Sequence, residues 1–204
     1  MSNDTKDRIL EAALEIFSRD GYAGANLKDI AEAVGVVKSG FYRHYASKEE
    51  LWNAVLDEME RYYDGRFGSS DNMPAIPRST DELKTLTLRM LDFTMHDEKI
   101  IMTRKILLTE QFRDTRVRDL ATKHFGTGLK GLFTKIFAGM MENGSLECGD
   151  PTMLAFAYTA PIMTLVHYRD REPEKEPEIM RQIEAFVKHF IKTYERKEND
   201  DKNE

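Results

Sequence analysis

Residues 21–51 read GYAGANLKDIAEAVGVVKSGFYRHYASKEEL. Leu27, Ile30, Ala31 and Val34 recur at helical spacing, Gly35 interrupts them, and a second short helix is expected over Lys38–Tyr45. A tight turn between two helices asks for positive φ, which glycine adopts without strain. Asn26 stands where a side-chain oxygen can cap the helix Leu27–Val34, with Asp29 at its third position. Ser47 and Glu50 form a Ser-x-x-Glu capping box that opens the next helix, with Leu51, Val55, Leu56 and Met59 facing inward. Two short helices about a glycine turn, the second carrying cations and rings, is the pattern of a helix-turn-helix. Leu27, Ile30, Ala31, Val34 and Val36 are expected to pack on the preceding helix, Lys6–Asp20, with Phe41 in the core. That leaves Lys38, Ser39, Tyr42, Arg43 and His44 able to face a major groove or its rims. Helical hairpins outnumber DNA readers, so the pattern alone leaves both readings open.

Charge permits the DNA reading without establishing it. The 204-residue chain carries a net charge of −6, and its first 63 residues are themselves net acidic. Yet no Asp or Glu falls between Glu32 and Glu49, where Lys38, Arg43, Lys48 and the titratable His44 lie. One local positive face on an acidic body also weakens indiscriminate binding to nucleic acid. With 41% hydrophobic and 32% charged residues the composition is that of a soluble globular protein. The first 25 residues contain acids throughout, so no signal peptide is expected. The longest apolar stretch, Met153–Val166, is interrupted by Tyr158, Thr159, Pro161 and Thr164, so no membrane partner is expected either. The single cysteine, Cys148, excludes an internal disulfide and suits the cytoplasm; a loop thiol is the favoured reading over a redox sensor.

Outward from the quoted stretch nearly everything reads as helix. Residues 64–79 mix helix breakers with no apolar period and are expected to be a loop. A second capping box, Ser79 and Glu82, opens a helix carrying Leu83, Leu86, Met90 and Phe93 on one stripe. Further helices are expected near Glu98–Phe112 and Val117–Glu142, the latter stopped by Gly144. Asp150-Pro151 opens one to about Tyr168, and the last covers Glu178–Lys197. Gly126-x-Gly128-x-x-Gly131 matches a dinucleotide fingerprint, but RDLATKHF before it has helical rather than strand periodicity, so that reading is set aside. His96, His124, His167 and His189 show no i, i+4 pairing, so neither a metal nor any other cofactor is expected.

With these residues in view, GYAGANLKDIAEAVGVVKSGFYRHYASKEEL and the preceding ILEAALEIFSRDGY together resemble the N-terminal signature of the tetracycline-repressor-like (TetR) family of bacterial regulators. Asp29-Ile30-Ala31, Gly35-Val36, Tyr42, Lys48 and Leu51 carry the likeness. Two departures stand out: Ala25-Asn26 replaces a usual Thr or Ser, and Val37-Lys38-Ser39-Gly40 replaces a usual Ser followed by Lys-Gly. The resemblance implies an all-α chain: a three-helix DNA-binding domain over 1–48, a connecting helix over 49–63, a ligand-binding and dimerisation domain over 80–197, and a polar tail over 198–204. It implies double-stranded operator DNA, a small-molecule effector and a second copy of the chain as partners, and transcriptional repression released by the effector. DNA contacts carried over by position are Lys38, Ser39, Tyr42, Arg43 and His44, with Asn26, Tyr45 and Lys48 toward phosphate; core packing is an equal alternative for Tyr45.

The second domain is a weaker text. Methionines and aromatics suit an adaptable apolar pocket, and Met90, Phe93, His96, Met102, Phe125, Phe133, Phe137, Tyr158 and His167 are its candidates, although ordinary core is favoured for each apolar one taken singly. The last helix carries an apolar seam that the resemblance assigns to a two-fold interface, with Ile162, Val166, Ile179, Ile183, Phe186 and Phe190 expected there. The competing readings are an enzyme, for which no nucleophile–base pair or phosphate loop is found, and a dimeric helical ligand-binding or interaction protein that does not bind DNA.

Overall fold

The computed structural model describes residues 2–67 and 73–196. The expected polar tail and the middle of the expected 64–79 loop lie outside the described residues. In chain order the helices are α1 (Ser2–Gly24), α2 (Leu27–Ala33), α3 (Lys38–Phe41), α4 (Lys48–Phe67), α5 (Thr80–His96), α6 (Glu98–Glu110), α7 (Thr115–Ala121), α8 (Leu129–Glu142), α9 (Pro151–Arg171) and α10 (Glu176–Tyr194), with a π-helical segment at Thr122–Gly128 and a 3₁₀ turn at Pro173–Lys175. Among the described residues the only extended pairing is a one-residue bridge between Leu146 and Glu195. No described helix is long and apolar enough to cross a membrane.

The local signals in the sequence explain most boundaries. Gly21, Gly35 and Gly144 adopt positive φ (69°, 69° and 79°), and each ends a helical run. Gly21 bends α1, and a side chain there would also collide with the Glu110 carboxylate, 2.5 Å from where its Cβ would lie. The Glu50 and Glu82 amides donate to the Ser47 and Ser79 hydroxyls at 3.0 and 3.1 Å, as capping boxes require. Asp150 Oδ1 accepts from the Thr152 and Met153 amides, with Pro151 in the first turn of α9.

Three expectations need correction. α4 continues to Phe67 rather than giving way to loop at 64. α3 is one turn, Lys38–Phe41, and the chain continues to His44 as hydrogen-bonded turns, with the His44 and Tyr45 amides both donating to Phe41 O. The long helix expected over Val117–Glu142 is broken: Asp114 caps α7, accepting from Arg116 and Val117, and the π-helical segment separates α7 from α8. The glycines of the Gly126–Gly131 run fall in that wider-wound segment and the first turn of α8, with helix before them.

By packing, the chain forms two compact units interleaved in sequence: residues up to 73 together with 96–123, and 74–95 together with 124–204. In the first, α1 lies against α2, α4 and α6. Ile9, Phe17, Ile30, Phe41, Leu51 and Ile106 are among its fully enclosed apolar side chains. In the second, α8, α9 and α10 enclose one cluster built on Phe133, Phe137, Tyr158 and Phe190, with ring centroids 4.6–5.7 Å apart. Residues 74–77, expected to be loop, carry no regular secondary structure: Ile76 packs so closely on Gly139 that a Cβ there would lie 2.8 Å away, and Asn143 donates to Pro77 O.

The residues of the expected dimer seam fall largely within the chain's own core. Ile162, Val166, Ile179, Ile183 and Phe190 are buried in the chain's own cluster, and Phe186 packs against it half-buried. An apolar stripe of helical period states that a helix has a buried face; it does not state whose helix covers it.

Candidate nucleic-acid interface

α3 owes its position to what is buried on either side of it. Phe41 fills the space beneath the turn, with Val34 and Ala31 enclosed on α2. Arg8 on α1 donates to Val34 O at 2.7 Å, satisfying a carbonyl at the C-terminal end of α2. Asn26 caps α2, its Oδ1 accepting from the Lys28 amide at 2.9 Å. With the inner face fixed in this way, Ser39, Tyr42 and Arg43 are exposed and His44 is half-buried. Tyr42 keeps 43% of its surface open while its ring meets Phe41 edge-on at 5.8 Å. Lys38 begins the helix; its side chain lies outside the described residues.

Between α2 and α3 runs a groove of about 520 Å³, lined chiefly by Leu27, Ala31, Val36, Val37, Phe41 and Tyr42. Asn26, Lys28 and Glu32 edge it, and Lys28 and Glu32 pair at 3.5 Å. No carboxylate interrupts the chain from Ala33 to Lys48, and Arg43 is an exposed cation of this acid-free stretch.

Two expected phosphate contacts are placed elsewhere. Tyr45 is 2% exposed, its hydroxyl has no hydrogen-bond partner among the described residues, and burial followed by the charges of Asp7, Glu50 and Glu58 pushes its pKa up to about 12. The ring belongs to the core, the alternative its sequence position left open. Lys48 turns inward: Nζ donates to Ala25 O at 2.5 Å and Ala23 O at 3.4 Å and lies 4.8 Å from the centre of the Tyr22 ring. It neutralises carbonyls at the C-terminal end of α1, a favourable place for a cation. Its position in the motif is occupied by a clamp that sets α1 against the start of α4.

A second set of polar contacts, within the same compact unit, has no counterpart in the sequence reading. Trp52 on α4 donates from Nε1 to Asp114 at 2.8 Å, Tyr62 donates to Asp97 at 2.6 Å, and Lys123 bridges Glu60 and Asp64 at 3.0 Å each. Arg116 pairs with Asp57. Asp97 and Asp114 are also the N-caps of α6 and α7, so each carboxylate ties a helix start to α4. Burial works to raise the Asp114 pKa, but the bonds from Trp52 and from the Val117 and Arg116 amides outweigh it and hold the carboxyl below its usual range. The cap signals at Asp97 and Asp114 are visible in the sequence; their partners across the unit are not.

Residues 9–55 match the family model described as bacterial regulatory proteins, tetR family. The N-terminal head is thus similar to that of the tetR family. Among curated proteins, the negative regulator of the biofilm operon icaADBC, IcaR of Staphylococcus epidermidis, is 36% identical over 58 residues, covering 28% of this chain and 31% of that protein. The regulator TtgR of Pseudomonas putida is 31% identical over 110 residues, 53% of this chain and 49% of its own. The matched stretch thus spans from just under a third to about half of these relatives, which are named as transcriptional regulators. Among solved structures, the complex of SmeT with triclosan, SmeT being the repressor of a Stenotrophomonas maltophilia multidrug efflux pump, superposes with a TM-score of 0.71 at 18% identity over 96% of this chain and 93% of that one. At that identity the likeness shows the fold.

In the second compact unit, Phe133, Phe137 and Tyr158 of the expected ligand pocket are core residues, packed ring on ring. The Tyr158 hydroxyl shares a hydrogen bond with Thr87 at 2.7 Å, and burial raises its pKa to about 12. Met90, Phe93, Phe125 and His167 are half-buried there, with Phe125 edge-on to His167 at 5.3 Å. His96 and Met102 group with the other unit.

Proposed function

We propose that the chain is a transcriptional regulator, in the first instance a repressor, that binds a palindromic operator as a homodimer and releases it when a small apolar or amphiphilic molecule binds. The observation that carries this reading is the outward row Ser39, Tyr42 and Arg43 on an acid-free cationic stretch, fixed from beneath by Phe41 and Val34. A recognition helix enters the major groove by its N-terminal part. Arg43 has no intramolecular partner among the described residues, and its guanidinium is the group suited to guanine O6 and N7. Lys38, Ser39, Tyr42 and His44 complete the contact set, with Asn26 at its edge; Lys48 contributes by holding α1. Operator binding places the work in the bacterial cytoplasm.

For the second copy, the support comes from what the chain's own core leaves uncovered. Met153 and Phe156 lie one turn apart on α9 and are 58% and 57% exposed, large apolar surfaces that isolated chains rarely leave open together. A two-fold pairing through this face of α9 gives two reading heads for two half-sites. For the effector, the half-buried Met90, Phe93, Phe125 and His167 are the pocket candidates that the chain's own core leaves partly open. SmeT in complex with triclosan indicates the ligand chemistry to try first.

Selection from a random duplex pool by the full-length protein tests the reading. Recovery of a two-fold symmetric sequence, bound by a species of twice the chain mass in light scattering and released by triclosan or a chemically related probe, supports it. A chain that selects no duplex but remains dimeric is the interaction protein instead.

A further inference from the structure

The end of α3 nearest the turn breaks a local rule. Val37 is the residue from which α3 starts, its carbonyl accepting from the Gly40 and Phe41 amides at 2.8 and 3.0 Å. That position favours Ser, Thr, Asp or Asn, whose side chains satisfy a free amide; valine is among the poorest choices. Packing gives no reason for it, because Val36 takes the half-buried place and Val37 is left 73% exposed, followed by Lys38 and Ser39. An apolar residue where both capping chemistry and solvent favour a hydroxyl marks a site where something outside the fold sets the choice.

The surroundings define what that something is. A Cβ added at Gly40 would touch only the Val37 and Val36 side chains, at 3.8 and 4.0 Å, so the bare glycine leaves one flank of the valine methyls open. On its other flank Val37 joins Val36, Phe41 and Tyr42 along the groove between α2 and α3. The result is a small apolar step on the leading end of a helix in an acid-free cationic stretch. A phosphate gains nothing from a valine, and the groove's edge already holds the Glu32 carboxylate. In a major groove, the apolar group that a base presents is the thymine 5-methyl.

Resting on the DNA-binding reading above, we propose that Val37 is a specificity-determining residue that packs against the methyl group of one thymine in each half-site. The thymine is read by contact and desolvation, without a hydrogen bond, so the residue selects thymine over cytosine while Arg43 supplies polar readout farther along.

The test removes only the methyl. In the duplex selected from a random pool, each dT is replaced in turn, symmetrically in both half-sites, by deoxyuridine, which keeps base pairing and every hydrogen-bonding group. The wild-type protein is expected to lose roughly fourfold in affinity per half-site at one position, as for one methyl returned to water. Val37→Ala should bind the dT and deoxyuridine duplexes alike at that position, and Val37→Thr, which keeps one methyl and adds a capping hydroxyl, should retain part of the discrimination. Both variants should melt at or above the wild-type temperature, since the side chain is exposed. If no deoxyuridine position weakens the wild type, or if Val37→Ala discriminates as the wild type does, the assignment is overturned while operator binding stands. If the wild type selects no duplex, the DNA-binding reading falls and this assignment with it.

Discussion

The two compact units are held together by different physics. In the unit containing the head, α4 is joined to the starts of α6 and α7 by directional bonds: Trp52 to Asp114, Tyr62 to Asp97, Lys123 to Glu60 and Asp64. In the other, α8, α9 and α10 share an aromatic cluster whose principal buried polar contact is the Tyr158–Thr87 hydroxyl pair. Apolar burial supplies free energy without specifying orientation, whereas hydrogen bonds specify orientation for about 0.5–1.5 kcal/mol net each. On the proposed function, the surface matched to a groove has the second kind of support and the unit proposed to take a small molecule has the first.

Removing a ring from the aromatic unit should give the largest effect. Phe137→Ala, at a fully enclosed site, is expected to cost about 3–5 kcal/mol in denaturant unfolding. A cost under 1 kcal/mol would show that the cluster is not tightly packed and would break the contrast. Trp52→Phe keeps most of the ring volume and removes one donor from a partly buried carboxylate, for an expected loss of about 1–3 kcal/mol. Its signature should be local, with faster hydrogen exchange of the Arg116 and Val117 amides that the same carboxylate caps. Uniformly faster exchange throughout the chain would count against a directional tie.

The hydroxyl pair sharpens the contrast from the other side. Tyr158→Phe should cost about 1 kcal/mol, less than a ring deletion, because Thr87 retains its bond to Leu83 O. Adding Thr87→Val should cost little more, since no unpaired group then remains. A large further loss would mean that the pair orders the cluster. Acid gives the smallest effect. The Asp114 carboxyl is held below its unfolded value of about 3.9, so its contribution is fully present above that pH and disappears as pH falls through the lower folded value. Asp114→Asn should reduce the acid sensitivity of the head-containing unit and leave the aromatic unit's unchanged, read by Trp52 fluorescence against near-UV tyrosine signals.

The same contrast explains what could be read in advance. The caps at Asn26, Ser47, Ser79 and Asp150 were legible because donor and acceptor lie within a few residues of each other. The turn glycines were legible because positive φ narrows the choice of residue. Trp52 and Asp114 are 62 residues apart, and nothing local to either names the other. The outward set Ser39, Tyr42 and Arg43 followed from periodicity, but Lys48 and Tyr45 did not: a motif position fixes where a residue stands, and only packing fixes which way it turns. The seam on α10 is ambiguous for a related reason, since burial by α8 and α9 leaves the same pattern as burial by a second chain.

The surface around α3 is proposed to read DNA, and Arg43 is its most direct probe. Fluorescence anisotropy should compare wild type and Arg43→Ala on the selected duplex and on a scrambled one, at two salt concentrations, with melting curves run alongside. Arg43 is exposed, so stability should not change. Affinity for the selected duplex should fall by about 1–3 kcal/mol per half-site and affinity for the scrambled duplex by much less. Equal affinities for wild type and variant on the selected duplex would contradict the account.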